Sequence, residues 1–511
     1  LFWLVSVGAA CSKSPPPEEG VVSEKPEYGD ELVEGVFHQP GLLNPLVTDS
    51  TVAANLFDLI SDSLVTTDQE EEIIPSLTER WEISDDGRVW TFYLKKGVLF
   101  HDGAELTAED VKFTLEQIAK RRWHGFQTFF KCVKKFSAPE RYLFRMELSR
   151  YDHALWGGLL LNIVPRHLFI GKSLPPFDRK PVGTGPFRFV SRNDEEIVLE
   201  ANENHFRGRP YLDRLRLKVV RSPQVYIDLA VGKIDLLGGI DEEYYAFLSQ
   251  LPDIRVYRKR ASPFLYMLCF NTRREMFRSP EIRRAVEGVI DRQKLTALPL
   301  QEKWQAASGP FPSWEDDRYL PLPDNDPEEA RKILSRQKSP LRFVITADES
   351  ELNRKIVGEI QKEFAAAGIR TSTRFLPLRE MIEVLKKKDF DLALLRSVYD
   401  SRLFSSYPLW HSGEIASGIN FSSYSNPAAD RALDRIRFSP DEAERREAFR
   451  EFQKVLREDP PAVFLFWRYL PFAIHKRFRG VLESGSGGYK MYREIWVPKE
   501  EQKPLLLGPS P

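Results

Sequence analysis

His101 and Asp102 are adjacent, and imidazole and carboxylate are both common ligands of divalent cations, so this pair could seed a metal site. No second His stands at helical or hairpin spacing, and Gly103 after the pair fits a turn, which is the simpler reading. The run Ser484-Gly-Ser-Gly-Gly488 has the small residues of a phosphate-cradling loop, but it has no Lys and no helix signal behind it; a flexible turn accounts for it. Signatures of the forms GxSxG, HExxH, GxxxxGKS or GxxxxGKT, and GxGxxG are absent, so neither an enzyme nor a cofactor is expected. With 29% of the residues charged, carboxylate pairs suited to acid–base work arise by chance and decide nothing. Arg121-Arg122-Trp123-His124 reads either as a cationic and aromatic wall or as a basic helix end satisfying its own terminal carbonyls. What remains is chemistry of recognition rather than reaction.

Composition bounds the class. The 511 residues exceed one hydrophobic core, so two or three domains are expected. The 74 Lys and Arg balance 75 Asp and Glu, leaving no broad field for a nucleic acid or an anionic surface. Leu1 to Ala10 is an apolar run closing in Gly8-Ala9-Ala10 before Cys11, the pattern of a secretory signal ending in a bacterial lipobox whose Cys receives a lipid. No Met or basic segment precedes it, so the sequence is expected to begin partway through that signal. About ten apolar residues fall short of the ~20 that cross a bilayer. Residues 12–30, rich in Pro, Glu, Ser and Lys, read as a disordered tether, and 501–511 as a tail. Cys132 and Cys269 have no CxxC spacing and read as buried free thiols.

The elements that would position a site follow in order. Val52, Leu56 and Ile60 are spaced as one helix face. Trp90, Phe92 and Leu94 alternate after the turn Asp85-Asp86-Gly87, a hairpin. Thr107-Ala-Glu-Asp110 fits a capping pattern, with the Thr oxygen meeting the amide at the third helical position, ahead of Val111, Leu115 and Ile118. Ile197 and Leu199, then Leu215, Leu217 and Val219, read as strands. Ser279 would cap a helix with Pro280 first and Ile282, Ala285, Val286 and Val289 on one face. From Leu341 to Asp400 the pattern is strand, helix, strand, helix, strand, with Gly368 stopping the first helix; such crossovers build a parallel sheet. Ligands of open parallel sheets gather beyond the strands' carboxyl ends, which points to Arg396–Asp400, or else to an ordinary surface loop.

Taken in order, these stretches resemble the dipeptide, oligopeptide and nickel branch of bacterial extracellular solute-binding proteins, family 5, the receptors of ATP-driven (ABC) importers. The residues that carry the likeness are Leu43-Asn-Pro45, Ile74 to Glu82, Trp90-Thr-Phe92, Phe100-His-Asp-Gly103, Leu106 to Val111 and Gly183-Thr-Gly-Pro-Phe187. Farther on they are Phe270-Asn271, Arg283 to Arg292, Asn420 to Pro427 and Phe478-Arg-Gly480. The likeness spans roughly residues 35 to 480.

The resemblance implies an α/β fold of the periplasmic-binding-protein type II class, two hinged lobes with an extra domain inserted in the first. Lobe I would comprise 31–51, 178–262 and 472–500, the inserted domain 52–177, and lobe II 263–471. The chain would then be an exported, lipid-anchored monomer that captures an unaltered solute and passes it to permease subunits in the membrane. Peptide binders of the family carry a Trp and an Asp-Tyr-Pro-Asp-Pro-like segment after this strand. Asp400 matches their acidic anchor, while Ser397 replaces the Trp and Ser401 the following Pro. The implied cargo is therefore a peptide or similar small polar solute, with a nickel chelate or other solute, or a cleft-based hydrolase, as alternatives. Asp400 would hold a positive group and Arg396 a negative one; Ser397, Tyr399, Trp123 and Trp410 would line the cleft, with Thr48 and Asp49 reaching in from the other lobe.

Overall fold

In chain order the strands are β1 (Glu31–Val36), β2 (Val65–Thr67), β3 (Ile73–Pro75), β4 (Thr78–Ile83), β5 (Val89–Leu94), β6 (Val133–Glu140), β7 (Leu143–Leu148), β8 (Phe187–Arg192), β9 (Glu196–Ala201), β10 (Arg214–Val219), β11 (Leu236–Gly238), β12 (Ile254–Arg258), β13 (Phe264–Phe270), β14 (Gln305–Ala306), β15 (Arg342–Asp348), β16 (Arg370–Leu376), β17 (Leu392–Val398), β18 (Ala462–Arg468) and β19 (Pro471–His475). They come from a computed structural model, which describes residues 25–46, 51–68, 72–120, 129–170, 175–240, 242–258, 264–298, 304–311, 320–323, 325–337, 341–398, 406–416, 418–481 and 488–503. Among these residues no helix is long and apolar enough to cross a membrane.

Four sheets result. Seven strands in the order β12-β19-β11-β1-β10-β9-β8 make the first lobe, and six in the order β14-β18-β13-β17-β15-β16 make the second. The two-stranded sheet β2-β3 and the four-stranded sheet β4-β5-β7-β6 belong to the inserted domain. The apolar pattern explains this. In β9 and β10, alternate residues Ile197, Leu199, Leu215 and Leu217 are buried, which suits strands with one covered face. β13 reads Phe-Leu-Tyr-Met-Leu-Cys-Phe and is buried nearly throughout, because helices cover both of its faces. Tyr266, Leu268 and Phe270 enter one core cluster, whereas Leu265, Met267 and Cys269 enter another.

The crossover reading holds. β15 pairs in parallel with both β16 and β17, and the helices Glu351–Ala366 and Leu378–Lys386 connect them. Gly368 sits at φ +79°, ending the first of these helices where an L side chain would be strained.

Two predicted caps form differently. Asp110 reaches back, its Oδ2 accepting from the Thr107 amide at 2.9 Å and the Thr107 hydroxyl at 2.8 Å, so the Thr hydroxyl donates instead of receiving the third amide. The other Asp110 oxygen takes the Arg166 amide at 2.9 Å, and this competing partner holds the carboxylate. Ser279 precedes the helix Pro280–Val289 without a side-chain bond to it. Pro280 supplies the fixed φ that starts this helix.

The inserted domain is bolted to the first lobe. The Thr184 hydroxyl of the first lobe donates to the Asp62 carboxylate at 3.0 Å and accepts the Asp62 amide at 3.1 Å. Gly183 and Gly185 lie so close to the end of the helix Thr51–Ile60 that a Cβ on either would meet the Ile60 carbonyl group within 2.5 Å. The turn of residues 183–187 therefore needs glycine for close approach.

Candidate functional site

Strand register places the site. The chain passes from the first lobe to the second between β12 and β13, and returns between β18 and β19. Arg258, last in β12, pairs with Pro471, first in β19; Gly238, last in β11, pairs with Phe472. Since β1 runs parallel to β10 and β11, both crossings leave the first lobe at the carboxyl ends of its parallel strands. In the second lobe Phe264, first in β13, pairs with Val398, last in β17, and with Arg468, last in β18. The parallel strands β15, β16 and β17 thus also end at the crossings. Both lobes aim the same ends of their parallel strands into one cleft, where ligands of open sheets gather.

Arg396 and Ser397 occupy the rim of that cleft on β17, opposite Tyr266 and Leu265. Arg396 is exposed, and its guanidinium lies 5.3 Å from the centroid of the Phe264 ring, within cation–π range. On the returning crossing, just past β18, the Tyr469 hydroxyl donates to Gln305 Oε1 at 3.0 Å. Trp304 stacks on Phe466 at 4.3 Å and 15°, which stiffens the adjoining wall. On the first lobe the amides of Gly239 and Ile240 donate to the Pro471 carbonyl at 3.1 and 3.3 Å, tying the exit of β11 to the crossing. Phe264 and Tyr469 carry no motif; the signal in the sequence is the aromatic density of Phe464 to Phe472.

Of the other expected site residues, Thr48, Asp49, Trp123, Tyr399 and Asp400 lie outside the described residues, as does Cys11. Trp410 requires a correction. It is 1% exposed, belongs to the second lobe's own core, and meets Phe464 edge-on at 6.0 Å. Tyr407 and His411 stack beside it on the short helix Ser406–Trp410 and its end, at 4.4 Å and 12°. An indole consumed by core packing has no face left to wall a cleft.

Several motif residues prove to be braces. Asn271 donates from Nδ2 to the carbonyls of Lys388 and Phe390, at 2.9 and 2.7 Å, pinning the approach to β17. Arg292 is buried, with Glu287 at 2.6 Å and the Phe464 carbonyl at 2.7 Å. Asn420 folds its own loop, donating to the Tyr424 carbonyl at 2.9 Å and accepting the Tyr424 amide at 3.1 Å. His101 donates from Nε2 to the Gly185 carbonyl at 3.0 Å while Nδ1 faces the Gly183 amide at 3.4 Å. Both nitrogens are engaged as in a neutral ring, and burial lowers the His101 pKa accordingly. Cys132 and Cys269 are free and buried, and burial pushes the Cys132 thiol up to about 12.

Known proteins share this architecture. The family model described as bacterial extracellular solute-binding proteins, family 5 middle, matches residues 72–417. The oligopeptide-binding protein AppA of Bacillus subtilis is 24% identical over 96% of each chain. Its crystal structure in complex with a nonapeptide superposes with a TM-score of 0.75 at 22% identity, covering 93% of this chain and 100% of that one. NikZ of Campylobacter jejuni, solved with Ni(L-His), gives a TM-score of 0.76 at 24% identity, covering 91% and 99%.

Proposed function

On the premise that the chain belongs to the bacterial extracellular solute-binding proteins of family 5, we propose that it is the capture subunit of an ABC importer, taking a peptide or a similar small polar solute. The observation that carries this reading is the convergence of both lobes' parallel-strand ends on one cleft, at Gly238 and Phe472 on one side and Phe264 and Val398 on the other. The solute bridges the lobes, which close on it as a trap. Closure is driven by contacts made in the closed state alone, because a ligand shifts an equilibrium by no more than its differential affinity.

Asp400 anchors a positive group, the amino terminus of a peptide, and Arg396 a negative one by a charge-assisted fork. Ser397 leaves room where a larger side chain would fill the rim. Tyr399 and Trp123 wall the cleft, and Thr48 and Asp49 contribute from the first lobe. The likeness to AppA, an oligopeptide-binding protein solved with a nonapeptide, favours a peptide; NikZ with Ni(L-His) keeps a small metal chelate as the second reading. The chain is exported, held to a bacterial membrane by a lipid on Cys11, and works as a monomer that delivers its unaltered cargo to permease subunits. Native mass spectrometry of freshly purified protein is the test: a bound solute that leaves with its mass unchanged supports capture, whereas turnover of an added peptide would replace it with hydrolysis. A Cys11→Ser variant found in the membrane fraction as abundantly as the parent would remove the lipid anchor from the account.

A further inference from the structure

The seam between the inserted domain and the second lobe carries a buried ion pair. Arg437 stands one residue before the end of the helix Pro427–Phe438, and Asp152 precedes the short helix Leu155–Leu159 of the inserted domain. Arg437 Nε donates to Asp152 Oδ1 and Oδ2 at 3.0 and 3.2 Å, and Nη2 donates to Oδ2 at 2.9 Å. The side chain of Asp152 is 2% exposed and that of Arg437 12%. The His153 amide donates to the Arg437 carbonyl at 2.7 Å, so a residue of the inserted domain caps a terminal carbonyl of that helix. Arg150 sits over the Phe438 ring at 3.4 Å. Beside these contacts is a cavity of about 330 Å³, bordered among others by Cys132, Ser149, Tyr407 and Glu414.

Among the described residues no apolar cluster bridges this seam. The buried side chains on its two sides belong to separate cores, so the contact is mainly polar, with the Phe438 ring under Arg150 as its apolar part. The inserted domain is fixed to the first lobe through Asp62 and Thr184 and through the Gly183 carbonyl and Gly185 amide, which bond the His101 amide and the Ile60 carbonyl. A grip on Arg437 is therefore a grip of one lobe on the other.

We infer that Asp152 and Arg437 form a latch: they are positioning residues that hold the cleft closed from outside it, in the unliganded chain as well as the loaded one. This rests on the capture reading above, and it adds that solute affinity is set in part by a contact the solute never touches. Opening returns both charges to water. Removing one partner instead leaves the other buried and uncompensated in the closed state, which moves the balance toward open.

The test uses the full chain without added solute, carrying fluorophores on the inserted domain and on the second lobe for single-molecule energy transfer. The parent shows a short-distance population, and Arg437→Gln lowers its ratio to the open population about tenfold or more. The double variant Asp152→Asn with Arg437→Gln recovers part of it, since no unpaired charge remains, and Asn keeps the oxygen that accepts the Ala154 amide at 3.0 Å. Melting midpoints of the variants within a few degrees of the parent separate a latch from lost folding. Distance distributions that superimpose for parent and Arg437→Gln, whether both closed or both open, overturn the latch and leave solute capture untouched. Conversely, a cleft that binds nothing ends the capture reading while the distances still report the latch.

Discussion

Phe264 faces Val398 across the second lobe's sheet, pairing the first residue after one crossing with the last residue before the segment that carries Asp400. This pairing brings the start of β13, just past one crossing, to the same edge as the end of β17. Arg396, two residues earlier, lies against the same Phe264 ring at 5.3 Å.

Replacing Asp400 with Ala should weaken binding of the identified solute strongly. The loss of a buried partner for a charged group costs about 2–5 kcal/mol, read by titration calorimetry. Affinity unchanged within about twofold would reject the anchoring role.

Trp410→Phe should act on folding and not on binding. Its ring is packed against Phe464 and is 1% exposed. The expected loss of stability is well under the about 3–5 kcal/mol of truncation to Ala, with solute affinity unmoved. A variant of parental melting temperature that binds poorly would return Trp410 to the cleft.

Gly185→Ala should destabilise by about 1–3 kcal/mol, as overpacking does. The new Cβ would stand 2.5 Å from the Leu59 carbonyl oxygen and from the Ile60 carbonyl carbon, backbone atoms that cannot swing aside. Denaturant unfolding that matches the parent would show this junction to be looser than described.

Acid should loosen the chain through His153. Its Nδ1 lies 3.0 Å from the Tyr151 hydroxyl, and burial followed by the nearby Arg445 charge lowers its pKa to about 3. Asp152 and Arg437, paired beside it, neutralise one another. The folded state keeps this ring neutral while the unfolded chain, with a His pKa near 6.5, takes up the proton. Stability is thus intact above about pH 6.5 and falls by up to about 1.4 kcal/mol per unit as pH drops toward 3. Buried His101, whose pKa is also lowered, adds to the same slope. His153→Gln should flatten the stability profile between about pH 6 and 4; an identical slope would contradict the burial of that ring.

Much of the fold was legible because period and punctuation agreed. Ile356, Ile360 and Phe364 gave a helix, Gly368 its end, and the alternation after it a strand, as found in β15 to β17. The caps were harder, since Asp110 had a rival partner in the Arg166 amide, 56 residues away, that no local pattern reveals. Trp410 misled for a related reason: an aromatic near an expected cleft looks like a wall until the facing strand β18 presents Phe464 to it. The seam at Asp152 and Arg437 joins residues 285 apart, and nothing in either neighbourhood advertises the other.

The capture of an unaltered solute is tested most directly by thermal melting of the purified chain against panels of di-, tri- and longer peptides, small polar metabolites and metal chelates, with mass spectrometry of whatever is recovered. At least one compound should raise the midpoint in proportion to the logarithm of its concentration and come back with its original mass. A flat midpoint across every panel, or recovery of a cleaved product, would contradict the account.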